Sequence, residues 1–128
     1  MTFEFFDNKK GRYSKKPFVS VDKYGRLSLN SKTREMLQTE GFKIELLVAY
    51  DKINKRIGLT RPEVVKVPDA EPMTFDKRGY GYARNFFDYY RIPYDKTARY
   101  YYVGQVNGIY AFQLEGFDAP DAYNVSTN

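Results

Sequence analysis

The sequence predicts a mainly β domain with two short helices, assembled from two β-hairpin–helix–β-hairpin units. Three observations predict it. Short runs of alternating apolar and polar residues are separated by Gly-, Asn- and Asp-bearing turns, the pattern of half-buried strands joined by hairpins. The four residues Asp22-Lys23-Tyr24-Gly25 return as Asp76-Lys77-Arg78-Gly79, 54 positions later. The order of elements around each copy also repeats, and a lone hairpin–helix–hairpin cannot cover its own apolar face.

Length and composition set the frame. The 128 residues suit one domain or two joined halves. The apolar material is unusually aromatic, with 13 Tyr, 10 Phe and no Trp, and Tyr and Phe favour strands. There is no Cys and no His. That removes thiolate chemistry and both the commonest general base and the commonest metal ligand. We expect no catalytic residue, no metal and no cofactor. Asp22 and Asp76 are the symmetric acids, and turn closure is the usual role of such an Asp. No apolar run is long enough for a membrane span, and Met1 to Phe6 does not read as a signal peptide, so a cytoplasmic location is expected.

Residues 1–17 form a basic N-terminal arm. Lys9, Lys10, Arg12, Lys15 and Lys16 crowd positive charge that can follow a phosphate backbone. Phe3 and Phe5 fall on one face if this end is an edge strand.

Residues 18–61 form the first unit. Phe18 to Lys23 is a strand with Val19 and Val21 on one face. Asp22 to Gly25 is a tight turn, and Leu27 and Leu29 face inward on the return. Asn30 and Ser31 are N-cap residues for a short helix with Thr33, Met36 and Leu37 inward, stopped by Gly41. Lys43 to Tyr50 is the strongest strand, apolar on both faces. Arg56 to Thr60 returns with Ile57 and Leu59 inward.

Residues 62–72 form a linker punctuated by Pro62, Pro68 and Pro72. Residues 73–116 form the second unit, with a helix from Arg84 to Arg91 and a Tyr-rich strand from Ala98 to Val103. Asn107-Gly108 suits the paired positive φ values of a type I′ hairpin turn. Residues 117–128 read as a flexible, mildly acidic tail.

Charge is unevenly spread. Residues 1–70 carry 15 Lys and Arg against 9 Asp and Glu, whereas residues 71–128 carry 6 against 7. An excess of +6 in the half with the clearer motif points to a polyanion, with double-stranded DNA first. Lys23, Arg26, Lys32 and Arg34 cluster around one hairpin and helix start, where guanidinium groups can grip phosphate or a guanine edge bidentately.

Val21-Asp22-Lys23-Tyr24-Gly25-Arg26-Leu27-Ser28-Leu29, followed by Lys32-Thr33-Arg34 and Leu37, resembles the AbrB/SpoVT/MraZ family of swapped-hairpin DNA-binding domains. The resemblance covers 18–61 well and 73–114 more loosely. It implies two units interlocked in a pseudo-twofold barrel, here from one chain, acting as a monomeric pseudo-dimer or a homo-oligomer. It also implies a transcriptional regulator, nucleoid-associated, that contacts DNA through the first hairpin and helix. The family's contact positions fall on Val19, Arg26, Arg34 and Glu35, of which Arg26 and Arg34 keep the arginine. In the second unit, Tyr80 replaces the first arginine and Asp88 stands opposite Arg34. An alternative reading is a protein-interaction module, antitoxin-like or a phage-encoded inhibitor of a host factor, binding through Tyr80, Tyr82, Tyr100 and Tyr102.

Overall fold

The computed structural model describes residues 2–5 and 16–121. In chain order the elements are β1 (Phe18–Val21), β2 (Arg26–Leu29), α1 (Ser31–Leu37), β3 (Ile44–Asp51), β4 (Arg56–Thr60), β5 (Met73–Phe75), β6 (Tyr80–Tyr82), α2 (Arg84–Tyr90), β7 (Ala98–Val106) and β8 (Ile109–Leu114). The eight strands close into an antiparallel barrel in the order β1-β2-β6-β5-β3-β4-β8-β7. The β1–β2 hairpin therefore sits between β6 and β7, both drawn from the second half of the chain. The β5–β6 hairpin sits between β2 and β3, both from the first.

The alternation read from the sequence becomes the inner and outer face of this barrel. Val19, Val21, Leu27, Leu46, Ile57, Leu59, Phe75, Tyr100 and Phe112 fill the interior. Burying an aliphatic or aromatic side chain of this kind contributes roughly 1.5–3 kcal/mol. Both helices lay one stripe against the barrel, Thr33 and Leu37 from α1 and Phe87 from α2.

Closed hairpins have turn chemistry that suits them. Asn107 and Gly108 both have positive φ, 53° and 82°. In the β3–β4 loop, Asp51 Oδ1 accepts the backbone N–H groups of Ile53 (3.0 Å) and Asn54 (3.1 Å), and its Oδ2 accepts from Asn54 Nδ2 at 2.8 Å. Burial alone would raise the Asp51 pKa. These bonds and the nearby Arg56 charge outweigh that and hold it below the ordinary carboxylate value.

Several expectations need correction. Phe3 and Phe5 do not form an edge strand: they are 76% and 98% exposed, outside any strand. A closed barrel offers no free edge for them to join. Helix α1 ends at Leu37, before Gly41. Gln38 takes the left-handed cap conformation, with φ 57°, and its N–H donates to the carbonyls of Arg34 and Glu35. The inward stripe runs out there, and Thr39 turns into the core instead. In the linker, Val65 and Val64 lie beside Gly108 at the β7–β8 turn. Of the segment from 117, residues up to Asp121 lie against the barrel: the Asp121 carboxylate meets the buried Arg56 at 2.5 Å. Residues 122–128 lie outside the described residues.

Candidate nucleic-acid interface

The candidate site is built on the seam where β2 pairs with β6. Arg26 lies opposite Tyr82, Leu27 opposite Gly81, and Ser28 opposite Tyr80. Leu27 and Gly81 point into the barrel, so Arg26, Ser28, Tyr80 and Tyr82 point outward. The two hairpin tips, Asp22 to Gly25 and Asp76 to Gly79, flank this outer face.

Each tip is closed the same way. Asp22 Oδ1 accepts the backbone N–H groups of Tyr24 (2.9 Å) and Arg26 (3.1 Å). Asp76 Oδ1 accepts those of Arg78 (2.9 Å) and Tyr80 (3.0 Å). The Tyr80 N–H, followed by the Arg78 bonds and charge, holds the Asp76 carboxyl below its ordinary range despite slight desolvation. One oxygen of each acid is thus committed to its own turn, and the other faces an arginine, Arg26 for Asp22 and Arg78 for Asp76.

The cations gather around two tyrosine rings. Arg26 Nε donates to Asp22 Oδ2 at 2.9 Å. Its guanidinium lies 4.7 Å from the centre of the Tyr80 ring and 5.3 Å from that of Tyr24. Lys23 stands 5.4 Å from the Tyr24 ring centre, and Arg78 stands 5.2 Å from that of Tyr80. Arg84, the first residue of α2, donates to the Tyr24 carbonyl at 3.4 Å. Cation–π contact at such exposed sites contributes about 0.5–1 kcal/mol.

Helices and hairpins are seated on one another across the halves. The backbone N–H of Leu29 donates to the Gly79 carbonyl at 2.9 Å, and that of Ala83 to the Gly25 carbonyl at 2.8 Å. A Cβ on Gly79 would lie 2.8 Å from the Leu29 oxygen and 3.0 Å from Arg34 Cδ. A Cβ on Gly25 would lie 3.1 Å from Arg84. Glycine at each tip therefore makes room for an arginine of the opposite half.

The residues singled out in the sequence divide accordingly. Lys23 and Arg26 lie in the cluster. Arg34 is half-buried on Gly79, with its Nε sealed from solvent, so only its terminal nitrogens can face a ligand. Lys32 is paired with Glu35 at 3.2 Å, so the charge reversal at Glu35 is absorbed by its neighbour. Lys16 is exposed, while Lys9, Lys10, Arg12 and Lys15 lie outside the described residues. Of the tyrosines, Tyr80 is half-buried under Arg26 and Arg78, and Tyr82 is 84% exposed. Tyr100 does not belong to any surface: it is 1% exposed inside the barrel, and its burial pushes its hydroxyl pKa up. Tyr102 packs on Tyr110 and Phe112 and is half-buried. At the 54-residue spacing of the turns and strands, Asp88 is the counterpart of Arg34. Counted from each helix start, Phe87 stands opposite Arg34 and Asp88 opposite Glu35, because Ser31 and Arg84 are 53 positions apart, one fewer than the turns.

Three cations of this face, Lys77, Arg78 and Arg84, were not singled out from the sequence. The repeat of the Asp-Lys-x-Gly turn carried the signal for the first two. The net charge of the second half hid it, since acids far from the seam, such as Asp121, offset these cations in the total.

No family model, no curated protein and no solved structure matches this chain. Among the described residues, no helix is long and apolar enough to cross a membrane.

Proposed function

We propose that this is a double-stranded DNA-binding protein of the transcription-regulator kind, gripping the phosphate backbone with the β2–β6 seam and its two hairpin tips. The observation that carries the reading is the contiguous cluster of Lys23, Arg26, Arg78 and Arg84 around Tyr24 and Tyr80, in which four cations outnumber the two acids, Asp22 and Asp76, that pair with Arg26 and Arg78. Phosphate contacts supply sequence-independent affinity, and guanidinium groups already held beside tyrosine rings lose less entropy on binding. The basic arm, Lys9 to Lys16, extends the footprint beyond the seam.

The strand registers support a swapped-hairpin, pseudo-twofold arrangement of the two units. Val21 pairs with Ala98 and Phe75 with Ile44; Ser20 pairs with Arg99 and Thr74 with Glu45; Val19 pairs with Tyr100 and Met73 with Leu46. Within each couple of pairs, equivalent residues are 54 positions apart, the spacing of the Asp-Lys-x-Gly turns. Exchanging the two halves also leaves the list of barrel neighbours unchanged. One such domain on one chain presents a single composite DNA face.

The test is the anisotropy of labelled duplex DNA titrated with the protein over a salt series. Each phosphate contact adds about 0.9 to the log–log salt slope. Arg26→Ala combined with Arg78→Ala is expected to lower that slope by about 2, and removing residues 1–15 to lower it further. Absence of binding at low salt, or an affinity indifferent to both changes, overturns the proposal.

A further inference from the structure

The two halves differ at one place that the DNA-binding reading leaves unused. In the first half, Asn30 tethers the strand entry to the helix start. Its Oδ1 accepts from the Phe18 N–H at 3.1 Å and caps the Thr33 N–H at 2.9 Å, while its Nδ2 donates to the Lys16 carbonyl at 3.0 Å. In the second half, the helix cap is Ala83, which has no side chain to bond with, and Phe18 is matched by Pro72, which has no N–H. The tether is absent, and an open groove of about 830 Å³ lies between the Glu71–Pro72 strand entry and the start of α2.

The groove has an apolar floor, which includes Val48, Met73 and Phe86, and a polar rim. Tyr82 stands at the rim with its ring 84% exposed. Asn85 is exposed, and its side-chain amide makes no hydrogen bond among the described residues. Rim charges balance, Lys43 and Arg84 against Glu71 and Asp76, unlike the cationic seam beside it. A charge-balanced groove with apolar lining, an exposed tyrosine and an exposed carboxamide is complementary to a neutral heteroaromatic ring rather than to a phosphate. The phosphates flanking such a ring would meet Arg84 and the Arg26–Arg78 cluster.

We propose that this groove receives one unpaired nucleobase, stacked on Tyr82 and hydrogen-bonded by the Asn85 amide, so that the protein prefers DNA carrying an extrahelical or unpaired nucleotide. The inference rests on the DNA-binding reading above and adds to it the part of the ligand that is not duplex. Stacking of a base on an aromatic side chain is strong enough to carry a preference of about ten-fold or more. Because the strand-to-helix tether is missing in the second half, the preference is for an unpaired base at the α2 side of the footprint.

The experiment compares two labelled duplexes of the same flanking sequence, one perfect and one with a single-nucleotide bulge, titrated with the full chain at constant salt. The bulged duplex is expected to bind about ten-fold tighter. Tyr82→Ala and Asn85→Ala, both at exposed positions where folding is not at stake, are each expected to shrink the ratio of the two affinities. Tyr82→Phe, which keeps the ring, is expected to preserve it. Equal affinity for the two duplexes overturns this inference and leaves the DNA-binding reading standing. So does a bulge preference that survives both alanine changes. Failure to bind either duplex at low salt overturns both.

Discussion

At the scale of single residues, Gly79 is the position where backbone and packing demands coincide. Its φ is +91°, and a Cβ there would press on the Leu29 carbonyl oxygen. We expect Gly79→Ala to destabilise the fold by about 1–3 kcal/mol or more, read as a lowered urea midpoint, because backbone cannot yield as a flexible side chain can. Asp51 and Asp76 make a second prediction. Both have folded pKa values below the ordinary 3.8. Their contribution is therefore complete above that value and is lost as pH falls through the lowered folded values. Urea midpoints should hold steady above about pH 5 and drop below about pH 4, with a shallower drop in Asp51→Asn. The Asp-x-x-Gly turns were legible from sequence because the geometry they serve is local. The roles of the tyrosines were not. Tyr80, Tyr82, Tyr100 and Tyr102 look alike in a list, yet every strand of a closed barrel must send alternate residues inward. Tyr100 pairs with Val19 on β1 and is consumed by the core. Tyr100→Ala is accordingly expected to cost about 3–5 kcal/mol of stability in a thermal or urea melt, not to weaken a surface contact selectively.

At the scale of elements, the two helices carry different kinds of support. Asn30 caps α1 and also fastens it to the strand entry, so Asn30→Ala should cost about 1–2 kcal/mol in urea denaturation, at the upper end for a helix cap. Helix α2 has no side-chain cap and is held by the aromatic cluster of Phe86, Phe87 and Tyr90, with Tyr50 packed against it. The start of α1 was readable because Asn30 is a capping residue, whereas Ala83 before α2 carries no such signature. The end of α1 was less so, because Gln38 takes a left-handed cap that Gly41 is better suited to. The one-residue difference in where α2 begins was also hidden. Four-residue turn matches fix an offset for strands, but a helix start can slip by one without disturbing a barrel register.

At the scale of the whole molecule, each half supplies two strands that flank the other half's first hairpin. Neither half can close a core alone. Unfolding by urea should then be a single transition followed alike by fluorescence and far-UV circular dichroism, with no plateau for one half. A fragment ending at residue 72 is expected to lack cooperative folding, and to regain it on mixing with residues 73–128. An independently melting half would contradict this. The barrel's general class was legible because strand periodicity and turn chemistry are local. The order of strands around it was not written in any short stretch of the sequence: it arises from which edges remain unsatisfied once both hairpins exist.

That interleaving has a consequence during synthesis. When a ribosome has released the chain only as far as the linker, β1 and β2 are paired with each other and have their outer edges bare, because β7 and β6 have not been made. The β2 edge stays open until β6 (Tyr80–Tyr82) has been made, and the β1 edge for longer, until β7 (Ala98–Val106) follows. Two nascent chains on one messenger, held side by side at that stage, would each offer the other the kind of hairpin it is waiting for. Slowing translation after residue 72 is therefore expected to shift the yield from single closed barrels toward exchanged pairs, read by size-exclusion chromatography.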